Sequence, residues 1–181
     1  MGIQIKGLDK FRSQVNSLPK IIDDGIWEAN FDIVEDVEAR AVAKLQSSVK
    51  YGSGELAGSL KHEVVVNQKG HIVGRVWSDD PKAIYREYGT GKNGQESPKK
   101  LPEGVNPVYT QTPWFIPADE VDIDLEAVYG MKKITINGKD FYKTSGQPAR
   151  QFLTPAMDEA TEHAEEIFQK RVKESIRKGL K

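Results

Sequence analysis

Apolar residues recur at three- and four-residue intervals near both ends of this chain and at two-residue intervals through much of its middle. Leu8, Phe11, Val15 and Leu18 mark a first helix that Pro19 is expected to end. Ile22, Ile26, Ala29, Ile33, Val37, Ala41 and Leu45 then form one stripe, which predicts a longer helix over residues 20–48. Asp23, Asp24, Glu28, Asp32, Glu35 and Glu38 lie mostly on its other side. Acids early and Lys44 and Lys50 late suit the helix dipole, and Gly25 is a weak point near the start. Tyr51-Gly-Ser-Gly54 breaks the run, and Ile3 and Ile5 alternate with polar residues as a short strand ahead of it.

From Leu60 the period changes to two. His62, Val64 and Val66, then Ile72, Gly74 and Val76, flank an Asn67–Gly70 turn and read as a β-hairpin. Residues 83–88 fit either a strand or a helical turn, closed by Gly89-Thr-Gly91. Glycines and prolines punctuate residues 92–113 as a long loop, which in a compact domain calls for a task. Val121, Ile123 and Leu125 alternate with Asp122, Asp124 and Glu126 as a strand with a solvated acidic face. Asn137-Gly138 between strand-formers is the strongest short hairpin signal in the chain. The last 25 or so residues read as one uninterrupted amphipathic helix. Its start has Thr154 as N-cap, Pro155 at the first helical position and Phe152 as a hydrophobic staple.

The fold class expected is α+β: an antiparallel sheet with the two long helices packed on one face, plus a loop and hairpin insertion. The 181 residues suit a single domain, 1–181, carrying an inserted arm at about 92–145.

Composition narrows the chemistry. The absence of cysteine removes disulfides, thiolate metal sites and cysteine nucleophiles together. A net charge of −1 announces no global nucleic-acid field. No apolar run approaches the ~20 residues of a membrane span, and the N-terminus lacks signal-peptide features. His62, His71 and His163 are too scattered for a metal site, so no metal and no cofactor is expected. No nucleotide loop or Gly-x-Ser-x-Gly elbow stands in its required context, so no catalytic residue is nominated.

What remains points to surfaces. Tyr109, Trp114, Phe115, Tyr129, Phe141 and Tyr142 lie in or beside the long arm, where aromatics either fold back on a sheet or form an interface. The turn containing Glu87 and Thr90 is a second interface candidate. Asp119, Glu120, Asp122, Asp124 and Glu126 could line a channel through which DNA slides without sticking, because carboxylates repel phosphates. The final helix ends with six bases and one acid among Lys170, Arg171, Lys173, Glu174, Arg177, Lys178 and Lys181. These either complement the helix dipole or make a nucleic-acid-binding module, the alternative function.

Three segments in order carry a family resemblance. Ser53, Gly54, Leu56, Ser59 and Leu60 resemble a "Thr-Gly-x-Leu-x-x-Ser-Ile" motif. Ala83-Ile-Tyr-Arg-Glu-Tyr-Gly-Thr-Gly91 resembles "Tyr-Ala-x-x-Val-Glu-Phe-Gly-Thr", with Tyr88 in place of Phe. Gly146-Gln-Pro-Ala-Arg-Gln-Phe-Leu-Thr-Pro-Ala156 resembles "Gly-x-x-x-x-Pro-Phe-Leu-x-Pro-Ala", with Gln151 in place of Pro. Together they resemble the HK97 gene-product-ten-like tail components, the head–tail joining or neck proteins of long-tailed bacteriophages. The match spans nearly the whole chain apart from residues 92–145. The resemblance implies a non-enzymatic virion protein of the phage neck, assembled in the bacterial cytoplasm as a homo-hexameric ring. It implies connector or head-completion proteins and tail terminator or tube proteins as partners, with DNA passing through unbound and no membrane.

Overall fold

The computed structural model of this chain describes residues 7–47 and 54–181. The strand expected at Ile3 and Ile5, and Lys50 to Ser53 at the helix break, lie outside these residues. In chain order the elements are α1 (Leu8–Ser47), α2 (Glu55–Gly58), β1 (Leu60–Val66), β2 (Ile72–Ser78), α3 (Lys82–Tyr88), α4 (Gly91–Glu96), β3 (Trp114–Pro117), a 3-10 turn (Ala118–Glu120), α5 (Leu125–Tyr129), β4 (Lys132–Ile136), β5 (Lys139–Thr144), α6 (Leu153–Thr161) and α7 (Ala164–Gly179). The fold is α+β, as expected. It forms two units: residues 1–79 with 155–181, and residues 80–154. The inserted part is therefore wider than the arm at 92–145.

In the first unit, α1 does not stop at Pro19. It continues through the proline as one helix of 40 residues. Proline removes one helical N–H bond and crowds the preceding turn. Contacts with α7 on both sides of Pro19 hold the helix in register: Gln14 Nε2 donates to the Leu180 carbonyl at 2.8 Å, and Ser175 Oγ donates to the Ile21 carbonyl at 2.6 Å. The pairings Gln14–Leu180, Ile21–Ser175 and Asp32–Arg171 run in opposite directions along the two sequences, so α1 and α7 are antiparallel.

At 3.6 residues per turn, Ile21, Gly25, Glu28 and Asp32 share one face of α1, and Asn30, Phe31, Val34 and Glu38 lie opposite. The first face meets α7. A Cβ on Gly25 would stand 2.9 Å from the Val172 Cα, so this glycine is the point of closest helix approach and not a weak point. The second face meets the β1–β2 hairpin, where the Gly74 amide donates to Asn30 Oδ1 at 3.1 Å and the Phe31 ring meets His62 edge-on. Glu38 also pairs with His62. So the two long helices do not share one face of a sheet. Helix α1 lies between the hairpin and α7: Gly25 and the acids Glu28 and Asp32 meet α7 on one side, and Phe31 and Val34 meet the hairpin on the other. Its buried residues Ile21, Ala29, Val34, Val37, Ala41 and Leu45 pack with Ala57, Leu60, Ala156 and Ala160 as this unit's core among the described residues.

The C-terminal helix is two helices. Thr161 Oγ1 bonds back to the Met157 carbonyl, a contact that bends helices, and Glu162 and His163 form a turn before α7. His163 therefore sits in the break and not on a helix.

The second unit contains a three-stranded antiparallel sheet in the order β3-β5-β4. The Asn137-Gly138 turn is present, with Asn137 at φ 51° and Ile136 paired with Lys139. Residues 83–88 are helical, and the loop expected at 92–113 begins with α4. Residues 121–126 are not a strand. Asp124 caps α5 instead, accepting from the amides of Glu126 (2.9 Å) and Ala127 (3.3 Å). A short acid next to free amides favours a helix start over an extended ladder.

Candidate functional site

The second and third motifs of the sequence meet inside the second unit. Helix α3 starts where the Asp80 side chain accepts from the Lys82 amide, and its one buried residue is Glu87, 5% exposed. The Glu87 carboxylate accepts from the backbone amides of Phe152 (2.8 Å), Leu153 (3.0 Å) and Thr154 (2.9 Å). These are the free N–H groups that open α6, so a side chain 65 residues earlier does the work expected of a local cap. Thr154 is thus not the N-cap: α6 begins at Leu153. Phe152 is 2% exposed and forms part of the core.

Around this carboxylate the two segments form a lock. Thr90 N donates to the Gln147 carbonyl at 2.9 Å, and Gln147 N returns a bond to Thr90 Oγ1 at 3.1 Å. Asn93 N donates to the Ser145 carbonyl (3.1 Å), Asn93 Nδ2 to the Gly146 carbonyl (2.8 Å), and Arg150 N to the Arg86 carbonyl (2.9 Å). Gly146 has φ +96°, and a Cβ there would stand 1.9 Å from the Thr90 carbonyl oxygen, so only glycine fits.

Beside the lock lies a groove of about 660 Å³, walled by Ile84, Tyr85, Tyr88, Val108, Tyr109 and Trp114. The Tyr109 hydroxyl donates to the Tyr88 carbonyl at 2.9 Å, and the Lys99 ammonium sits 5.1 Å from the Tyr109 ring. Burial raises the pKa of both Tyr88 and Tyr109 above the ordinary phenol value, with the Glu87 charge adding to the effect at Tyr88. Both phenols therefore stay protonated at neutral pH and act as hydrogen-bond donors. The outer wall is open: Ile84 and Tyr85 are 58% and 52% exposed, and Val108 is 98% exposed. The groove thus has the aromatic, apolar lining that is enriched in interface cores.

Comparison of the chain with protein-family models, with curated proteins and with solved structures finds no match.

The residues singled out in the sequence divide three ways. Tyr109 and Trp114 line the groove. Phe115 and Tyr129 are 46% and 47% exposed, and Phe141 is half-buried in β5. Glu87 and Tyr142 are buried, so neither offers surface to a partner; the Tyr142 hydroxyl donates to Asp124 at 3.2 Å. Thr90 is half-buried and its hydroxyl is used within the lock. Of the acids, Asp124 is spent as a helix cap, while Asp119, Glu120, Asp122 and Glu126 are exposed on turns and helix, not on a strand face. In the basic tail, Arg171 is engaged by both oxygens of Asp32 on α1. The sequence gives no local sign of the Glu87 cap, because its partners lie in another segment. A lone acid in the helical phase of Ile84 and Tyr88 is its faint signal.

Proposed function

We propose that this chain is a structural subunit of a bacteriophage neck, which forms a ring joining the tail to the head connector around a passage for DNA. The observation that carries this reading is the lock: two of the three motifs behind the family resemblance, Ala83–Gly91 and Gly146–Ala156, are hydrogen-bonded to each other around one buried carboxylate. The exposed apolar wall beside it supports a protein-docking role, since a closed ring needs two different complementary patches on every subunit. The engagement of Arg171 by Asp32 and Glu28 removes one base from any phosphate-binding surface.

The test is imaging of particle necks by electron microscopy, with the purified chain's affinity for duplex DNA measured in parallel. Density for this chain between connector and tail, with negligible DNA affinity, is the expected result. Absence from the neck, or DNA affinity that falls steeply with salt, would overturn it.

A further inference from the structure

The antiparallel pair α1–α7 has two unlike flanks. At the contact, Ile21 and Gly25 of α1 meet Val172, Ser175 and Gly179 of α7. The residues one position earlier, Asp24, Arg171 and Lys178, share a charged flank: Asp24 and Lys178 line one pocket with Glu28, and Arg171 pairs with Glu28. Each position advances about 100° around a helix, so in an antiparallel pair the residues one position later turn to the opposite flank on both helices. These are Ile22 and Ile26 on α1, and Ile176 and Leu180 on α7. Phe11, Val15 and Leu18 continue the α1 row at intervals of four and three. Phe11 is 62% exposed, Val15 and Ile22 are also exposed, and α7 has no buried residue. An apolar strip across two helices therefore faces solvent, and a contiguous patch of this kind marks an interaction site. One position further round α7, Lys170, Lys173, Arg177 and Lys181 edge the strip, all exposed. The helix dipole favours bases within the last turn, and Lys170 and Lys173 stand before it.

We infer that this strip docks residues 118–130 of a second copy of the chain. That segment carries five acids, Asp119, Glu120, Asp122, Asp124 and Glu126, and no base. All five are exposed, and Ile123 and Tyr129 are exposed among them. Each patch thus sets charge around apolar side chains, and the charges are opposite. An apolar centre with a charged rim is the make-up of a protein interface. Phosphate contacts come from charged and polar groups, so a surface for duplex DNA has no use for Phe11, Val15 and Ile22. A second copy of the strip itself would bring bases against bases, and like-charge contact suppresses that pairing. The two patches differ and every copy carries both, so the contact is heterologous and one copy can hold two neighbours. The inference does not rest on the neck reading, because it is tested on the purified chain.

Charge reversal on each side provides the test. One full-length variant carries Lys173→Glu and Arg177→Glu, and a second carries Glu120→Lys and Asp122→Lys, all at exposed positions. Self-association is read by sedimentation velocity at low salt. The parent should associate, and added salt should weaken it. Each variant alone sets like charge against like and should associate at least about tenfold more weakly. An equal mixture of the two should recover association, because the reversed edge of one meets the reversed segment of the other. That recovery also excludes misfolding as the cause of the single losses. A monomeric parent, a loss confined to the first variant, or a mixture no stronger than its parts would overturn the inference. None of these outcomes alters what imaging of the neck would show.

Discussion

At the scale of single residues, Glu87 decides the most. Three amides and a helix N-terminus converge on its carboxylate in a buried site, where each unmet N–H costs about 1–3 kcal/mol. Glu87→Ala should therefore destabilise the protein by roughly 3 kcal/mol, measured by urea unfolding. Glu87→Gln keeps the shape and one acceptor oxygen but loses the charge, and should cost about half as much. Hydrogen exchange separates this from general loosening: the amides of Phe152–Thr154 should lose protection first. Equal protection in mutant and parent would show that the cap is not formed in solution. This role was illegible in the sequence because a cap is normally sought among neighbours, and Glu87 works across 65 residues.

At the scale of elements, the α1–α7 contact sets two tendencies against each other at Gly25. Alanine favours a helix by about 1 kcal/mol over glycine. Here its methyl would meet backbone atoms at 2.9 Å, and overpacking costs about 1–3 kcal/mol. Backbone cannot step aside as a flexible side chain can, so Gly25→Ala should lower stability by about 1 kcal/mol in urea unfolding. A rise would mean that the helices stand farther apart. The elements legible in the sequence were those fixed by local periodicity or turn chemistry: the α1 stripe, the hairpin around Asn67–Gly70 and the hairpin at Asn137-Gly138. Those misread were settled elsewhere. Pro19 failed to stop α1 because contacts flank it. Thr161 divided the last helix by a side-chain bond. Asp124 turned an alternating run into a capped helix. Of the groove, the sequence showed its aromatics but not that Ile84–Tyr88 and Val105–Thr110 would meet, because nothing local records that distance.

At the scale of the whole molecule, carboxylates on both units are held below their ordinary range. A bond from Lys61 does this for Asp79, the amides of Ala127 and Glu126 for Asp124, a bond from the Thr135 hydroxyl and then Lys133 for Asp140, and a bond from Lys44 for Glu159. A carboxyl more acidic in the folded than in the unfolded chain adds stability that is complete above its unfolded value, near 4 for Asp and Glu. That stability is lost as pH falls through the folded value. Thermal midpoints should therefore be level from pH 7 to about 5 and fall below about 4. Added salt should shrink the drop, since these groups face solvent. A midpoint that fell between pH 7 and 5 would assign the transition to other groups.

The buried carboxylate also bears on how the chain finds its fold. Asp32 and Arg171 stand 139 residues apart, so joining α1 to α7 closes a very long loop. Once Glu87 has gripped Phe152, 65 of those residues are already tied off. The remaining path is nearly halved, which lowers its closure entropy by about 0.6 kcal/mol. The clasp at Glu87 thus shortens the search by which α1 meets α7.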